Sequence, residues 1–257
     1  MTIDPQTALV GAVVGLLVGW TGMGGASLMT PLMILVLGVR PVIAVGTDLV
    51  YSTITKVFGA GMHMRYGTVD RGVALRLAAG SLPGGLLGVL GLSLLKRRLP
   101  IDSLDAIVLK LVGCLLIVVA ATMVIRAISP HLFKRAAEAS EPRLKGLLPV
   151  VGFVVGFLVG LTSVGSGTLI VAALGLLTAL PARKVVGTDL FHGLLLVAVT
   201  GIAQLFIGTV DLHLAANLLV GSIPGVLIGS RLSVTLPERP LRLALATVLL
   251  ISGAKLF

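Results

Sequence analysis

The chain has 257 residues, of which 56% are hydrophobic and only 12% charged, with a mean hydropathy of +1.12. Soluble domains carry about 25% charged residues, so a water-soluble globule is excluded. The formal net charge of +10 does not signal nucleic-acid binding, which needs a basic face on a folded soluble domain. The basic residues lie mostly in short loops, such as Lys96-Arg97-Arg98, where anionic lipid headgroups are the natural neighbours.

Eight apolar segments follow one another, at about 6–38, 41–65, 72–95, 103–128, 147–180, 184–207, 212–235 and 240–257. Before the first stands Asp4 rather than a basic n-region, so this segment is expected to be retained structure and not a signal peptide. At about 33 residues it would be roughly 50 Å long as a helix, against a hydrocarbon core of about 30 Å. It is also interrupted midway by Thr21-Gly22-Met23-Gly24-Gly25, with Trp20 beside the break, either lining a cavity or simply packing.

The second segment carries Gly46-Thr47-Asp48-Leu49, then Lys56 at mid-segment and His63 near its end. Pro83-Gly84-Gly85 interrupts the third, as a hinge or as a bend. In the fourth, Cys114 reads as a small buried hydrophobe; a single cysteine makes no internal disulfide, and no Cys/His metal cluster is written in the sequence. The polar stretch Ser129 to Lys145 then divides the chain, giving a first repeat over 1–128, a connecting loop over 129–146 and a second repeat over 147–257. The fifth segment repeats the length anomaly of the first and is broken by Thr162-Ser163-Val164-Gly165-Ser166-Gly167. Pro224-Gly225 interrupts the seventh.

The halves are copies at an offset of 141 residues: Val45-Gly46-Thr47-Asp48-Leu49 returns as Val186-Gly187-Thr188-Asp189-Leu190, Gly67-Thr68-Val69-Asp70 as Gly208-Thr209-Val210-Asp211, and Gly80-Ser81-Leu82-Pro83-Gly84 as Gly221-Ser222-Ile223-Pro224-Gly225. Without a gap from Gly15 to Gly88, roughly 25 of about 74 positions are identical, a period too long for a solenoid. A duplicated apolar unit interrupted by Gly and Pro is the sequence form of a secondary transporter, with its site between the repeats.

The expected fold is therefore an all-α polytopic membrane protein of two homologous halves. If each Gly-broken segment is a re-entrant helical hairpin, each half has three further spans and the halves are inverted; if it crosses, each half has four and they are parallel. The inverted arrangement collects about 13 Lys/Arg on one side and about 5 on the other, the parallel one about 9 and 9, and the positive-inside rule favours the first with the central loop cytoplasmic. Against it, Lys96-Arg97-Arg98 would face outward.

The Gly-rich break followed by Gly46-Thr47-Asp48-Leu49, Thr55-Lys56, His63 and Gly67-Thr68-Val69 resembles the sulfite exporter TauE/SafE family of membrane transporters, over essentially the whole chain. The resemblance implies movement of sulfite, thiosulfate, organosulfonates or related anions, by export in some members and uptake in others. The second half departs from the pattern, since Val197 matches Lys56 and Gln204 matches His63, so any basic contact is supplied asymmetrically.

The residues themselves lead to a compatible place. An anion in a bilayer must exchange hydration for fixed donors, which backbone N–H groups at half-helix N-termini provide. Thr21, Gly24, Gly25 and Ser27 at the first break, with Thr162, Gly165, Ser166, Gly167 and Thr168 at the second, are the candidate substrate-binding residues, close helix packing being the competing use of small residues. Lys56 is the candidate cation facing the pathway, or else a structural ion pair. Asp48 and Asp189 read either as first-turn caps or as coupling-ion sites. His63 and His192 are further candidates for proton coupling, or else interfacial hydrogen-bonders.

The expected function is a secondary transporter of small sulfur-containing anions in the plasma membrane of a prokaryote, with protons as a possible second partner. An anion channel would share the polar lining. An intramembrane enzyme would want paired groups such as Asp48 and Asp189, but the sequence carries no nucleotide, metal or cofactor motif.

Overall fold

The computed structural model describes residues 4–21, 26–128, 146–232 and 238–257. These form ten α-helices: α1 (Pro5–Thr21), α2 (Ala26–Leu35), α3 (Pro41–Arg65), α4 (Arg71–Arg98), α5 (Ile101–Ile128), α6 (Leu148–Thr162), α7 (Thr168–Leu177), α8 (Ala182–Ile207), α9 (Leu212–Leu232) and α10 (Glu238–Lys255). No strand occurs among the described residues. Among the described residues five helices, α3, α4, α5, α8 and α9, are long and apolar enough to cross a membrane. Helices α6 to α10 repeat α1 to α5 in order. The second long segment is broken where its glycines cluster, held by Ser163 in the left-handed region and by Gly165 at φ +95°. The connecting loop over 129–145 lies outside the described residues, as do Gly24 and Gly25.

Glycine decides which helices touch. Helix α1 packs on α9, and α6 on α4, so the first arm of each repeat lies against the third long segment of the other. A Cβ built on Gly11 or Gly15 would stand 2.1 or 2.3 Å from the carbonyl oxygens of Leu218 and Ser222. Their counterparts Gly152 and Gly156 meet Leu77 and Ser81 at 2.3 and 2.2 Å. Only a missing side chain allows such an approach, and in a bilayer close van der Waals packing replaces the hydrophobic drive between helices. Pro83 falls between Gly80 and Gly84, which abut Pro149 and Phe153, so the interruption in α4 lies within this packed seam.

The contacts also give the direction of each helix. In α1 and α9, Gly11 meets Leu218 and Gly15 meets Ser222, so the two run parallel. Helix α3 runs parallel to α9 as well, since Gly46 meets Thr209 while Tyr51 bonds Ser222. The equivalent helices α3 and α8 run antiparallel: Leu49 meets Gly201, Lys56 meets Gly193 and Gly59 meets Leu190.

The repeated Gly-Thr-Val-Asp motif is a turn that clasps the opposite repeat. Gly67 and Gly208 have φ of +64° and +70° and end α3 and α8. Asp70 and Asp211 then cap the next helices, accepting from the N–H groups of Val73 (3.0 Å) and Leu214 (2.9 Å). Their own N–H groups donate across the molecule to Thr188 (2.9 Å) and Thr47 (3.0 Å).

Two sequence expectations are corrected here. Asp48 and Asp189 cap nothing, because α3 and α8 begin seven residues earlier, at Pro41 and Ala182, and both carboxylates lie buried in the third turn. Gly46 and Gly187, inside these helices, admit the carbonyls of Thr209 and Thr68. Cys114 is exposed on the outer side of α5, because Val112, Gly113 and Leu116 take the inward positions against α10.

Candidate functional site

Where α3 and α8 cross, the interior turns from apolar to polar. Asp48 accepts hydrogen bonds from Thr30 of α2 (2.6 Å), from Ser52 one turn along α3 (3.1 Å) and from Ser163 at the second break. Thr30 and Ser163 also lie 2.9 Å apart, so a single carboxylate joins α2, α3 and the break of the other repeat. These three hydroxyls were not singled out from the sequence, because they come from segments separated by up to 133 residues and only the fold assembles them.

The counterpart of Asp48 is treated differently. At the offset of 141, Val171 replaces Thr30, Gly193 replaces Ser52 and Gly22 replaces Ser163. Asp189 has lost all three donors, and both of its carboxylate oxygens are buried without a hydrogen-bond partner. Lys56 of α3, only 2% exposed, occupies the room left by Gly193, where a Cβ would stand 3.0 Å from its Nζ. Its ammonium has no hydrogen-bond partner either, yet it lies close enough to act electrostatically on Asp48, Asp189 and His192. Arg126 of α5 also acts on Asp189.

His192 is fully buried, with Nε2 2.7 Å from the hydroxyl of Ser81 and Nδ1 unpartnered. Around the two breaks the buried hydroxyls of Ser27, Ser166 and Thr168 are unpartnered as well. Ser27 and Thr168 hold equivalent places, each in the first turn of a second half-helix. Buried polar groups are nearly always paired, and ionisable ones inside a membrane are costly. Among the described residues these unpaired groups carry both charge signs and lie on α2, α3, α7, α8 and the second break.

Other expected residues fall elsewhere. The Thr162 hydroxyl donates to Leu158 (2.7 Å) and accepts from the N–H of Val164 (3.3 Å), which makes it a cap for the end of α6. Gly167 is the N-cap of α7, and Gly165 provides the positive-φ turn before it. His63, half-buried, bonds Thr68 (2.8 Å) in the turn after α3 and feels Arg183 at the start of α8, which places it at the end of the bundle. The side chains of Thr21 and Trp20, with Gly24 and Gly25 entirely, lie outside the described residues.

An all-helical bundle with five apolar membrane-length helices, duplicated around buried charge, is a polytopic membrane transporter rather than an enzyme. The chain belongs to the sulfite exporter TauE/SafE family, whose model matches residues 7–256. It is 44% identical over 250 residues to the probable membrane transporter protein YjnA of Bacillus subtilis (strain 168), covering 96% of this chain and 97% of that one. It is 27% identical over 247 residues to the probable membrane transporter protein YdhB of the same organism, covering 95% and 96%. A probable membrane transporter protein of Xylella fastidiosa (strain 9a5c) is 29% identical over 240 residues, covering 91% and 87%. No solved structure matches. With bacterial relatives throughout and apolar helices of spanning length, the protein is an integral protein of the plasma membrane.

Proposed function

We propose that the protein is a secondary transporter of small sulfur-containing anions (sulfite, thiosulfate or organosulfonates), bound between the repeats at mid-membrane. The observation that carries this reading is Lys56, a buried cation without a hydrogen-bond partner, in a bundle where the hydroxyls of Ser27, Ser166 and Thr168 are buried and unpartnered too. A negative ion there would gain a full charge from Lys56 and charge-assisted hydrogen bonds from the hydroxyls. The half-helix N-terminus that follows Gly165-Gly167 adds backbone donors of the right sign. Family membership supports sulfur as the central atom, and the donors themselves suit any small oxyanion.

The repeats are inverted and their broken arms re-entrant. Helices α1, α9 and α3 run parallel, yet only five residues, 36–40, join α2 to α3. Five residues reach at most about 18 Å, too little to return across a bilayer of about 30 Å had α2 continued the direction of α1. Helix α2 therefore turns back, and α7, also 10 residues long or about 15 Å, does the same. The antiparallel packing of α3 on α8 supports opposite orientations of the two copies.

The test is flux in proteoliposomes loaded with labelled sulfite, thiosulfate, sulfate and small sulfonates, with and without a pH gradient. Saturable uptake, with acceleration by the same anion on the opposite side, is expected. Conduction without counterflow would make the protein a channel, and no movement of any sulfur-containing anion would overturn the substrate assignment.

A further inference from the structure

We propose that Asp189 and Lys56 form a charge-balanced pair through which the protein couples each anion to a proton: anion occupancy beside Lys56 is matched by protonation of Asp189. This rests on the anion-site reading above and deepens it.

The two carboxylates of the repeated Gly-Thr-Asp-Leu motif have been divided between two tasks. Asp48 accepts from three hydroxyls on three different segments, which satisfy the ionised form, and it stays fixed as a structural knot. Asp189 accepts from nothing, so among the described residues no hydrogen bond favours its anion. The charges that act on it are Lys56 from α3 and Arg126 from α5, and His192 lies one turn further along its own helix. Asp48, the remaining buried carboxylate nearby, also acts on Lys56.

Charge counting gives the coupling. Empty, the site holds Lys56 as a cation and Asp189 as an anion, and their charges cancel. An entering anion takes Lys56 as its counter-ion and leaves Asp189 uncompensated in a medium of low dielectric constant, where like charges repel far more strongly than in water. A proton from solvent on one Asp189 oxygen restores neutrality. No bond other than that O–H is made or broken. Because linkage is reciprocal, the anion then strengthens proton binding by the factor with which the proton strengthens anion binding.

The experiment uses the purified full-length protein in detergent, with methanesulfonate and ethanesulfonate as probes, since both are fully ionised monoanions near neutral pH and carry no proton of their own. Proton uptake is followed with a pH-sensitive dye in weak buffer while anion binding is measured calorimetrically. Wild-type protein is expected to take up about one proton per bound anion, with affinity falling by up to about tenfold for each unit of rising pH. Asp189→Asn, a mimic of the protonated acid, is expected to bind without proton uptake and without that pH dependence. Binding by wild-type protein with no proton uptake, or unchanged uptake in Asp189→Asn, overturns the coupling while leaving the anion site intact. Failure of wild-type protein to bind either anion overturns the anion site and the coupling with it. Should Asp189→Asn not fold, the proton count and pH slope of the wild-type protein decide alone.

Discussion

Tyr51 and His192 occupy the same position in the two repeats, and each bonds the same serine of the opposite repeat: Tyr51 lies 2.5 Å from Ser222, and His192 2.7 Å from Ser81. The chemistry of the two side chains differs while the geometry is kept. The exchange of partners is reciprocal, as it is for Thr47 with Asp211 and Thr188 with Asp70. The helices that carry these reciprocal bonds, α3 and α8, pack antiparallel, and Lys56, Asp189 and His192 all lie on them.

The antiparallel packing of α3 on α8 places Arg40 and Arg183 at opposite ends of this helix pair, Arg40 fixed there by Asp105 of α5 at 2.8 Å. In a background with Cys114→Ala, cysteines at 40 and 183 should react with a membrane-impermeant maleimide from opposite sides of oriented vesicles. Labelling of both from one side would sink the inverted arrangement. The background should be harmless, because Cys114 faces outward from the helix bundle.

Lys56→Met should lose anion affinity by roughly ten- to a hundredfold, the worth of one charge-assisted hydrogen bond of about 1.5–3 kcal/mol. Membrane insertion should hold, while thermal stability should fall, because losing Lys56 leaves the buried Asp189 without its countercharge. Normal flux in this variant would return Lys56 to a structural role.

Ser166→Ala and Thr168→Val remove unpartnered hydroxyls, so they should weaken anion binding while leaving the melting temperature nearly unchanged. Gly165→Ala is a poor probe of the same site. Its φ of +95° and the Leu169 Cδ1 2.7 Å from a built Cβ would strain the turn whether or not an anion binds. A fall in stability without a change in affinity for Ser166→Ala and Thr168→Val would count against the hydroxyls as ligands.

Gly156→Ala places a Cβ 2.2 Å from the Ser81 carbonyl oxygen and should destabilise the protein by about 1–3 kcal/mol or more. Gly61→Ala, a helical position with nothing within 4 Å, should be neutral or stabilising by up to about 1 kcal/mol. Thermal melting in detergent compares them directly; equal melting temperatures would mean that the seam between α4 and α6 is looser than its glycines imply.

Much of the architecture was legible because apolar length and glycine clusters are local signals. The 141-residue repeat, the two breaks and the mid-span position of Lys56 all show in the chain itself. The setting of Asp48 was not legible. Local reading puts a Thr-Asp pair after Gly at a helix start, but the helix is nucleated earlier by Pro41 at its N-terminus, and Gly46 is small for a neighbour 163 residues away. Nor could Cys114 be placed, since a uniformly apolar span carries no periodicity to tell its inner face from its outer one. The Gly-Thr-Val-Asp motif was visible only as a repeat; its task as a clasp depends on a threonine in the other half.

The pairing of α1 with α9 and of α6 with α4 has a consequence for biogenesis. When the first half of the chain leaves the ribosome, the glycine grooves of α1 and α4 face lipid with no mate yet made. Helix α6 emerges first and closes the groove of α4; α1 waits until α9, more than 200 residues later, has been inserted. The amino-terminal arm, translated first, is therefore among the last parts to lock into place, and the two halves mature as one unit.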